Sequence, residues 1–304
     1  MFVRLKYLFM IKTGILGTSE TTNFYAHILS KLEGVELTGC YSPDYNKTKT
    51  FAAQFNLVSY PSVEALFNYT EALVITDFSP DFLSTTEKAI KNFKHILITN
   101  PFLAGLDEIQ HLRKLSEESG VLMQIAGGFR FYEILNQFEG RNCFLADLKH
   151  AFGSCNNMWC GAKFMEHLLN DISLQLLILK GIPKRININS WEVNGNERGV
   201  VSVRMELDNG AVGNLLVNQF EEQNVLQANM FTIEGESVFQ VDLTKSMSGA
   251  NYDDIIVHEL HHFGQSIKNS YSSTVHNDIM FQALELAHRI KSKSIQNFAV
   301  NFPN

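Results

Sequence analysis

His167 and Asp171 form one candidate pair for proton transfer in this chain of 304 residues. The two residues lie four positions apart, so on a helix their side chains would share one face. A histidine changes its protonation state near neutral pH, and a neighbouring carboxylate tunes that change. The spacing therefore allows a proton donor at His167, and it equally allows an exposed His–Asp pair that has no chemical role.

A second constellation is His258-Glu-Leu-His-His262, which satisfies the H-E-x-x-H pattern of zinc proteases. On a helix His258 and His262 would share a face, and Glu285 is a conceivable third ligand downstream. A zinc site also needs that third ligand to converge and an open position for water. Because a five-residue match arises easily by chance among ten histidines, we predict no metal site here.

Two loops follow short apolar strands, where open α/β sheets bind their ligands. The first begins at Gly17 and reads Gly-Thr-Ser-Glu-Thr-Thr, and the second is Thr99-Asn100-Pro101 after Ile96-Leu-Ile. An asparagine amide can orient a hydroxyl group, but it cannot give or take a proton. Asn100 is therefore a candidate for positioning a substrate and not for acid–base chemistry.

The predicted pattern of strands and helices changes at residue 127. Strands alternate with helices over residues 11–126, which predicts a parallel sheet with right-handed crossovers. Longer strand-like runs follow, with a hairpin signal at Asp208-Asn-Gly210 and closing helices over 252–268 and 276–292. We predict an α/β protein in which a Rossmann-type domain, residues 1–126, precedes an α+β domain, residues 127–304, with a mostly antiparallel open sheet. Residues 1–9 are a possible extension, because Met10 begins a more natural start.

Residues 94–101, Lys-His-Ile-Leu-Ile-Thr-Asn-Pro, resemble the Gly-Lys-His-Val-Leu-x-Glu-Lys-Pro signature of the Gfo/Idh/MocA family of nicotinamide-dependent oxidoreductases. Thr99 and Asn100 stand where that family has Glu and the Lys that lies between nicotinamide and substrate. His167 and Asp171 match the Asp and His places of the family's Asp-x-x-x-His helix in exchanged order. Residues 207–213 and 233–242 resemble two of its sheet motifs, and Arg130 matches an arginine at the domain junction.

The resemblance also assigns the residues that would contact a cofactor, which is NAD or NADP. In the first turn, whose family consensus is G-x-G-x-x-G, the chain keeps Gly17 and continues with Thr18 and Ser19. Ser42 stands where the family has an acid for the adenine ribose. Asp77, Phe78 and Phe82 stand at the Thr, Pro and His places after the third strand of that family. The predicted cofactor-binding residues are Gly17, Thr18, Ser19, Ser42, Asp77 and Thr99.

Composition limits the remaining function classes. A formal net charge of -7 and a pI near 5.8 argue against non-specific nucleic-acid binding and against an anionic membrane surface. No apolar run is long enough to cross a bilayer. Four cysteines without a CxxC pair are expected to be buried, reduced thiols, which indicates a cytoplasmic protein.

The resemblance implies an NAD(P)-dependent oxidoreductase that acts on a sugar or a cyclitol-like small molecule. Asn100, His167 and Asp171 are then the predicted catalytic-site residues, with His167 as the proton donor. The open sheet of the second domain implies a homo-oligomer. The alternative is a sensor or regulator that keeps the scaffold and a ligand pocket without catalysis.

Overall fold

The computed structural model describes residues 10–77, 81–127, 140–152, 162–193, 198–233, 238–242, 244, 252–269 and 275–298. The chain forms two compact units: the first contains the described residues up to Ala126 together with Ile256–Asn277, and the second contains Gly127–Ile255 and Asp278–Asn304. The possible extension at residues 1–9, Phe78 and Arg130 lie outside the described residues.

The first unit contains a six-stranded parallel sheet whose strand order is β3-β2-β1-β4-β5-β6. Its two central strands β4 and β5 are runs of apolar residues, because helices cover both faces of a parallel sheet. The predicted Rossmann-type sheet is confirmed. The strands are β1 Ile11–Leu16, β2 Val35–Tyr41, β3 Val58–Ser59, β4 Ala72–Ile75, β5 His95–Ile98 and β6 Met123–Ile125.

Helices connect these strands, and their ends are set by local capping. Ser19, Asp44 and Ser62 each accept a hydrogen bond from a backbone N–H in the first turn of the helix that follows. Gly120 ends the longest of these helices in the left-handed conformation, at φ 67°. The helices are α1 Glu20–Leu29, α2 Tyr45–Phe55, α3 Val63–Phe67, α4 Phe82–Lys91 and α5 Leu106–Ser119, with a 3-10 turn at Pro101–Leu103.

A helix from late in the sequence completes the first unit. Ile256, Leu260 and Phe263 on helix α7, Tyr252–Lys268, are buried in the same apolar core as Ile11 and Val35. The sequence-based division assigned all of residues 127–304 to the second domain, whereas the structure puts Ile256–Asn277 with the first unit. The reason is the apolar stripe at these helical spacings, which needs a partner surface that the local sequence does not identify. The functional roles of the two domains remain predictions.

The second unit contains a mixed six-stranded sheet in the order β12-β11-β7-β10-β9-β8. Among the strand pairs described for this second sheet, only β7–β10 is parallel, so the predicted mostly antiparallel sheet is confirmed. Helix α6, Ala162–Leu179, packs on β7 and β10, and helix α8 spans Val275–Phe298. The strands are β7 Cys143–Ala151, β8 Pro183–Val193, β9 Arg198–Leu207, β10 Val212–Asn218, β11 Val225–Thr232 and β12 Val238–Asp242.

Two further sequence expectations concern cysteines and membrane spans. Cys40 and Cys143 are buried free thiols, and burial raises the pKa of the Cys40 thiol to about 11. Because the thiolate is the reactive form, Cys40 is a packing residue and not a nucleophile. Within the described ranges, no helix combines the length and the apolar character that a membrane crossing requires.

The role of α7 in the first core predicts a specific loss of stability. Leu260 is 1% exposed, and we expect Leu260→Ala to lower the free energy of unfolding by about 2–5 kcal/mol because it removes buried methyl groups. Val257 lies on the same helix and is 36% exposed, so Val257→Ala is the matched control, with an expected change below about 0.5 kcal/mol. Urea unfolding measures both changes, and equal losses would contradict the packing of this helix.

Candidate functional site

The turn between β1 and α1 is held by the carboxylate of Asp77, which follows strand β4. The backbone N–H groups of Thr18 and Ser19 donate to Asp77 Oδ2 at 2.7 and 3.0 Å. The Ser19 hydroxyl donates to Asp77 Oδ1, and the Thr22 hydroxyl lies 3.3 Å from the same oxygen. A single side chain therefore fixes a turn that lies 58 residues earlier in the sequence.

Hydroxyl groups fill the places where the dinucleotide fingerprint has its second and third glycines. Thr22 is fully buried, its Oγ1 lies 2.7 Å from Thr76 Oγ1, and it accepts the Ser19 N–H at 3.0 Å. The Thr76 hydroxyl also donates to the carbonyl of Leu16 at 3.0 Å. Ser19, Thr22, Thr76 and Asp77 thus form one network between the β1–α1 turn and the end of β4.

Gly17, the one glycine that remains from the fingerprint, is required by this geometry. Its φ of 139° lies in a region that favours glycine. A Cβ at this position would also lie 2.7 Å from both Asp77 Cγ and Thr22 Oγ1. The close approach of the turn to β4 therefore explains why this glycine is present.

Part of the helix α1 N-terminus is open for an anion. Asp77 occupies the amides of Thr18 and Ser19, and Ser19 Oγ accepts the Thr22 amide at 3.3 Å. Among the contacts of the described residues, the amides of Glu20 and Thr21 have no hydrogen-bond acceptor. Free N–H groups at the start of a helix, with the helix dipole, form an anion-binding position.

A cleft of about 250 Å³ opens at the carboxyl ends of β1, β2 and β4. The predicted cofactor residues Gly17, Thr18, Ser42 and Asp77 line it, and so does Phe82. Ser42 is 7% exposed and tied locally, because its hydroxyl donates to the carbonyl of Asp44 at 3.2 Å. Four of the six predicted cofactor residues therefore line one cleft.

Lys47 also lines this cleft, and the sequence prediction did not include it. Its ammonium lies 3.8 Å from Asp44 Oδ2, and its side chain is 71% exposed. The Asp44 carboxylate is engaged as the N-cap of α2 through the Asn46 and Lys47 amides at 3.0 and 3.1 Å. The position of a lysine in the first turn after β2 is the sequence signal that could have identified it.

The residues of the 94–101 segment have structural contacts. Lys94 donates to the carbonyl of Thr70 at 2.8 Å, and His95 Nδ1 accepts the Leu122 N–H at 3.0 Å. Burial lowers the pKa of His95, which keeps the ring neutral and able to accept. Thr99 donates from both its N–H and its hydroxyl to the carbonyl of Ile75, at 3.1 and 3.2 Å. Thr99 therefore joins β5 to β4, and its predicted contact with a cofactor remains a prediction.

Asn100 caps the 3-10 turn that follows it. Its Oδ1 accepts the Phe102 N–H at 3.2 Å, so one half of the amide is used within the protein. The side chain is partly buried, and its Nδ2 remains as a donor that can orient a hydroxyl group. Asn100 lies in the first unit, whereas His167 and Asp171 lie in the second.

Asp171 pairs with His150, not with His167 as the sequence spacing suggested. Asp171 Oδ2 lies 2.7 Å from His150 Nδ1, and both side chains are almost fully buried, at 0% and 1% exposure. The alternating burial of β7 turns His150 to the face that α6 covers, where Asp171 also points. The strand alternation is the signal that could have identified His150, but the pairing partner is not a local property.

His167 contacts this buried pair through its ring. The His167 ring packs edge-on against the His150 ring, with 5.0 Å between centroids, and Phe152 contacts both rings at 4.2 and 4.7 Å. His167 is partly exposed. The second unit therefore contains a partly exposed histidine supported by a buried His–Asp pair.

The H-E-x-x-H segment lies on helix α7. Glu259 is fully buried, and the same helix contributes Leu260 and Phe263 to the core of the first unit. In the part of the chain that the structure describes, no three His, Cys, Asp or Glu side chains are grouped to hold a metal. The packing of the helix accounts for this segment, and the absence of a metal remains a prediction.

The observed pairing can be measured with a double-mutant cycle. We expect His150→Ala and Asp171→Ala to show a coupling energy of about 1–2 kcal/mol in urea unfolding, because each leaves the other buried polar group without its partner. The matched cycle of His167→Ala with Asp171→Ala is expected to give a smaller coupling. A larger coupling energy between His167 and Asp171 than between His150 and Asp171 would contradict the observed pairing and support the one that helical spacing predicts.

The first unit matches a known family. Residues 11–126 match the model of the Gfo/Idh/MocA oxidoreductase family, which is described as an NAD-binding Rossmann fold. The chain is 26% identical over 129 residues to glucose-6-phosphate 3-dehydrogenase from Bacillus subtilis, a match that covers 42% of this chain. The chain spans only 36% of the length of that relative.

Longer matches extend into the second unit. The chain is 20% identical over 225 residues to UDP-N-acetylglucosamine 3-dehydrogenase from Acidithiobacillus ferrooxidans, covering 73% of this chain and 71% of that protein. A crystal structure of that dehydrogenase has a TM-score of 0.79 at 17% identity, covering 95% of this chain and 99% of that one. The structure of GenD2 from gentamicin A biosynthesis, solved in complex with NAD, has a TM-score of 0.76 at 13% identity, covering 97% of each chain. The likeness to these structures supports the fold over both units, and the match to the Gfo/Idh/MocA family model covers residues 11–126.

Proposed function

We propose that the protein is an NAD(P)-dependent oxidoreductase that acts on a hydroxyl group of a sugar or a cyclitol-like small molecule. The observation that carries this proposal is the cleft at the carboxyl ends of β1, β2 and β4, beside the open amides of Glu20 and Thr21. The names of the two relatives, both sugar or nucleotide-sugar dehydrogenases, support the substrate class.

Two features at and next to the cleft suit the phosphate groups of a dinucleotide. Gly17 permits the tight turn, and the amides of Glu20 and Thr21 are suitable donors to phosphate oxygens. At the end of β2, Ser42 is neutral and Lys47 offers a cation, so this end suits the additional phosphate of NADP better than a bare ribose. When bound, the nicotinamide supplies the hydride acceptor or donor. The carboxylates of Asp77, Asp44 and Glu20 disagree with the cofactor in charge, and Asp77 is the one that accepts hydrogen bonds from the turn amides.

The second domain supplies the groups that exchange a proton. Oxidation of a hydroxyl needs a base within hydrogen-bond reach, and His167 is a partly exposed group of that kind. His150 and Asp171 are too deeply buried to contact a substrate, and they act as positioning residues that hold the His167 ring. In the first unit, the Asn100 amide can orient a hydroxyl group but cannot give or take a proton.

The alternative is a non-catalytic sensor or regulator that binds a carbohydrate or nucleotide. Two observations favour it specifically. Asn100 replaces a group that can change its protonation state, and its oxygen is engaged in capping the following turn. Asp77 occupies the Thr18 and Ser19 amides of the turn that a cofactor would contact. A sensor would need the ligand pocket, but it would not need a catalytically competent group at position 100 or at position 77.

We further infer that the protein is a homo-oligomer and that it is cytoplasmic. Trp191 and Leu216 are 47% and 39% exposed on the sheet face opposite α6, and exposed large apolar side chains on an open sheet are typical of an interface. The buried free thiols of Cys40 and Cys143 suit a reducing compartment. Light scattering of the purified protein tests the oligomeric state.

Cofactor preference gives one test of the proposal. We expect Lys47→Ala to weaken NADPH binding about tenfold, because a charged hydrogen bond to the extra phosphate is lost, with little effect on NADH. Nicotinamide fluorescence titration measures both affinities. Lys49→Ala is the matched control, because the Lys49 ammonium lies over the Tyr45 ring, 4.6 Å from its centroid. Equal losses for NADH and NADPH would contradict the role of Lys47.

Catalytic competence gives a second test. We expect Asn100→Lys to raise the rate of NAD(P)H formation at least tenfold, because it adds the proton-transfer group that acid–base catalysis needs. The rate is followed by absorbance with glucose 6-phosphate, UDP-N-acetylglucosamine or myo-inositol, and Asn100→Gln is the matched control. If both variants bind NAD(P)H and neither turns over any of these compounds, the sensor function is favoured.

A further inference from the structure

The Asp77 carboxylate is bound by the protein in the way that a ligand anion is bound at a helix N-terminus. It accepts two consecutive backbone N–H groups, from Thr18 and Ser19, at 2.7 and 3.0 Å, and it also accepts the Ser19 hydroxyl. These groups directly precede α1, where the helix dipole favours negative charge. The turn therefore already holds one anion, and that anion is part of the chain.

We propose that Asp77 is an internal competitor for the phosphate groups of the dinucleotide, and that it sets a low affinity of this turn for NAD(P). This inference rests on the proposed function, because it concerns the same cleft. A dinucleotide that enters the cleft must bind beside the carboxylate or displace it from the two amides. In either case binding is weaker than to the same turn with a neutral residue at position 77.

The charges around Asp77 support a competition between its carboxylate and the phosphate groups of a dinucleotide. In the described ranges, no lysine or arginine forms an ion pair with Asp77, so its negative charge is balanced only by N–H and O–H dipoles. Glu20 begins helix α1, and Asp44 lines the same cleft. A diphosphate therefore meets carboxylates around the turn, and Lys47 is a cation that lines the same cleft.

The hydroxyl network explains how displacement can occur without loss of the turn. Thr22 Oγ1 accepts the Ser19 N–H at 3.0 Å and lies 2.7 Å from Thr76 Oγ1, which is anchored on the Leu16 carbonyl. These contacts do not include Asp77. When the carboxylate moves away, the Thr18 amide becomes a donor for a phosphate, while the Ser19 N–H stays on Thr22 Oγ1 and Thr22 and Thr76 still hold the turn to β4.

The experiment compares wild type with Asp77→Asn and Asp77→Thr by titration of NADPH and NADH, followed by nicotinamide fluorescence. We expect both variants to bind at least tenfold more tightly than wild type, because the neutral side chains compete less well with phosphate. Asp77→Thr also covers the case in which Asp77→Asn does not fold. Asp44→Asn is the matched control: it removes the same charge from the same cleft and keeps a residue that caps α2 well, so its effect is expected to be smaller.

A second measurement separates competition from a supporting role. Thermal unfolding without ligand should give a lower Tm for both Asp77 variants, since the carboxylate contacts are lost, while inorganic pyrophosphate should raise their Tm more than that of wild type. If folded Asp77 variants bind NAD(P)H no better than a wild type that does bind, the inference is overturned and the proposed function stands. If wild type and all folded variants bind neither NADH, NADPH nor pyrophosphate, the proposed function fails as well. If only the variants bind, the inference is supported.

Discussion

The reversal of strand order between β1 and β4 is the constraint on which the first unit depends. Because β2 and β3 lie on one side of β1 and β4 to β6 lie on the other, the loops after β1 and β4 diverge to opposite faces of the sheet. A gap results at their carboxyl ends, and the chain has to stabilise it. Asp77 and Thr76 at the end of β4 do so by binding the turn after β1, which also forms one wall of the cleft.

The polar side chains at the site are paired with one another. Ser19 and Thr22 each bring a hydroxyl into a confined space where it needs partners, which Asp77 and Thr76 supply. In the second unit, a buried histidine on β7 pairs with one carboxylate oxygen of a buried aspartate on α6, while Asp171 Oδ1 has no hydrogen-bond partner among the described residues.

Local patterns predicted much of the fold and little of the site. The apolar run of β5 and the hairpin around Gly210 depend on neighbouring residues, so their prediction from sequence succeeded. Ser19, a partner of Asp77, lies 58 residues away from it, and His150, the partner of Asp171, lies 21 residues away. For Asp171, the spacing on one helix favoured His167 over His150 as the partner. Long-range pairing is set by the packing of whole elements, which a single sequence does not display.

Helix α7 has a consequence for how the molecule is made. The apolar surface of Ile11 and Val35 is covered by residues 256–263, so the core of the first unit joins segments separated by most of the chain. During synthesis the sheet of β1 to β6 leaves the ribosome long before the helix that covers it, and the nascent chain exposes that surface meanwhile. Such long-range closure slows folding and favours aggregation of intermediates. The last step in the folding of the first unit is therefore expected to be the docking of α7, and the need of that unit for chaperones should be greatest just before the helix emerges.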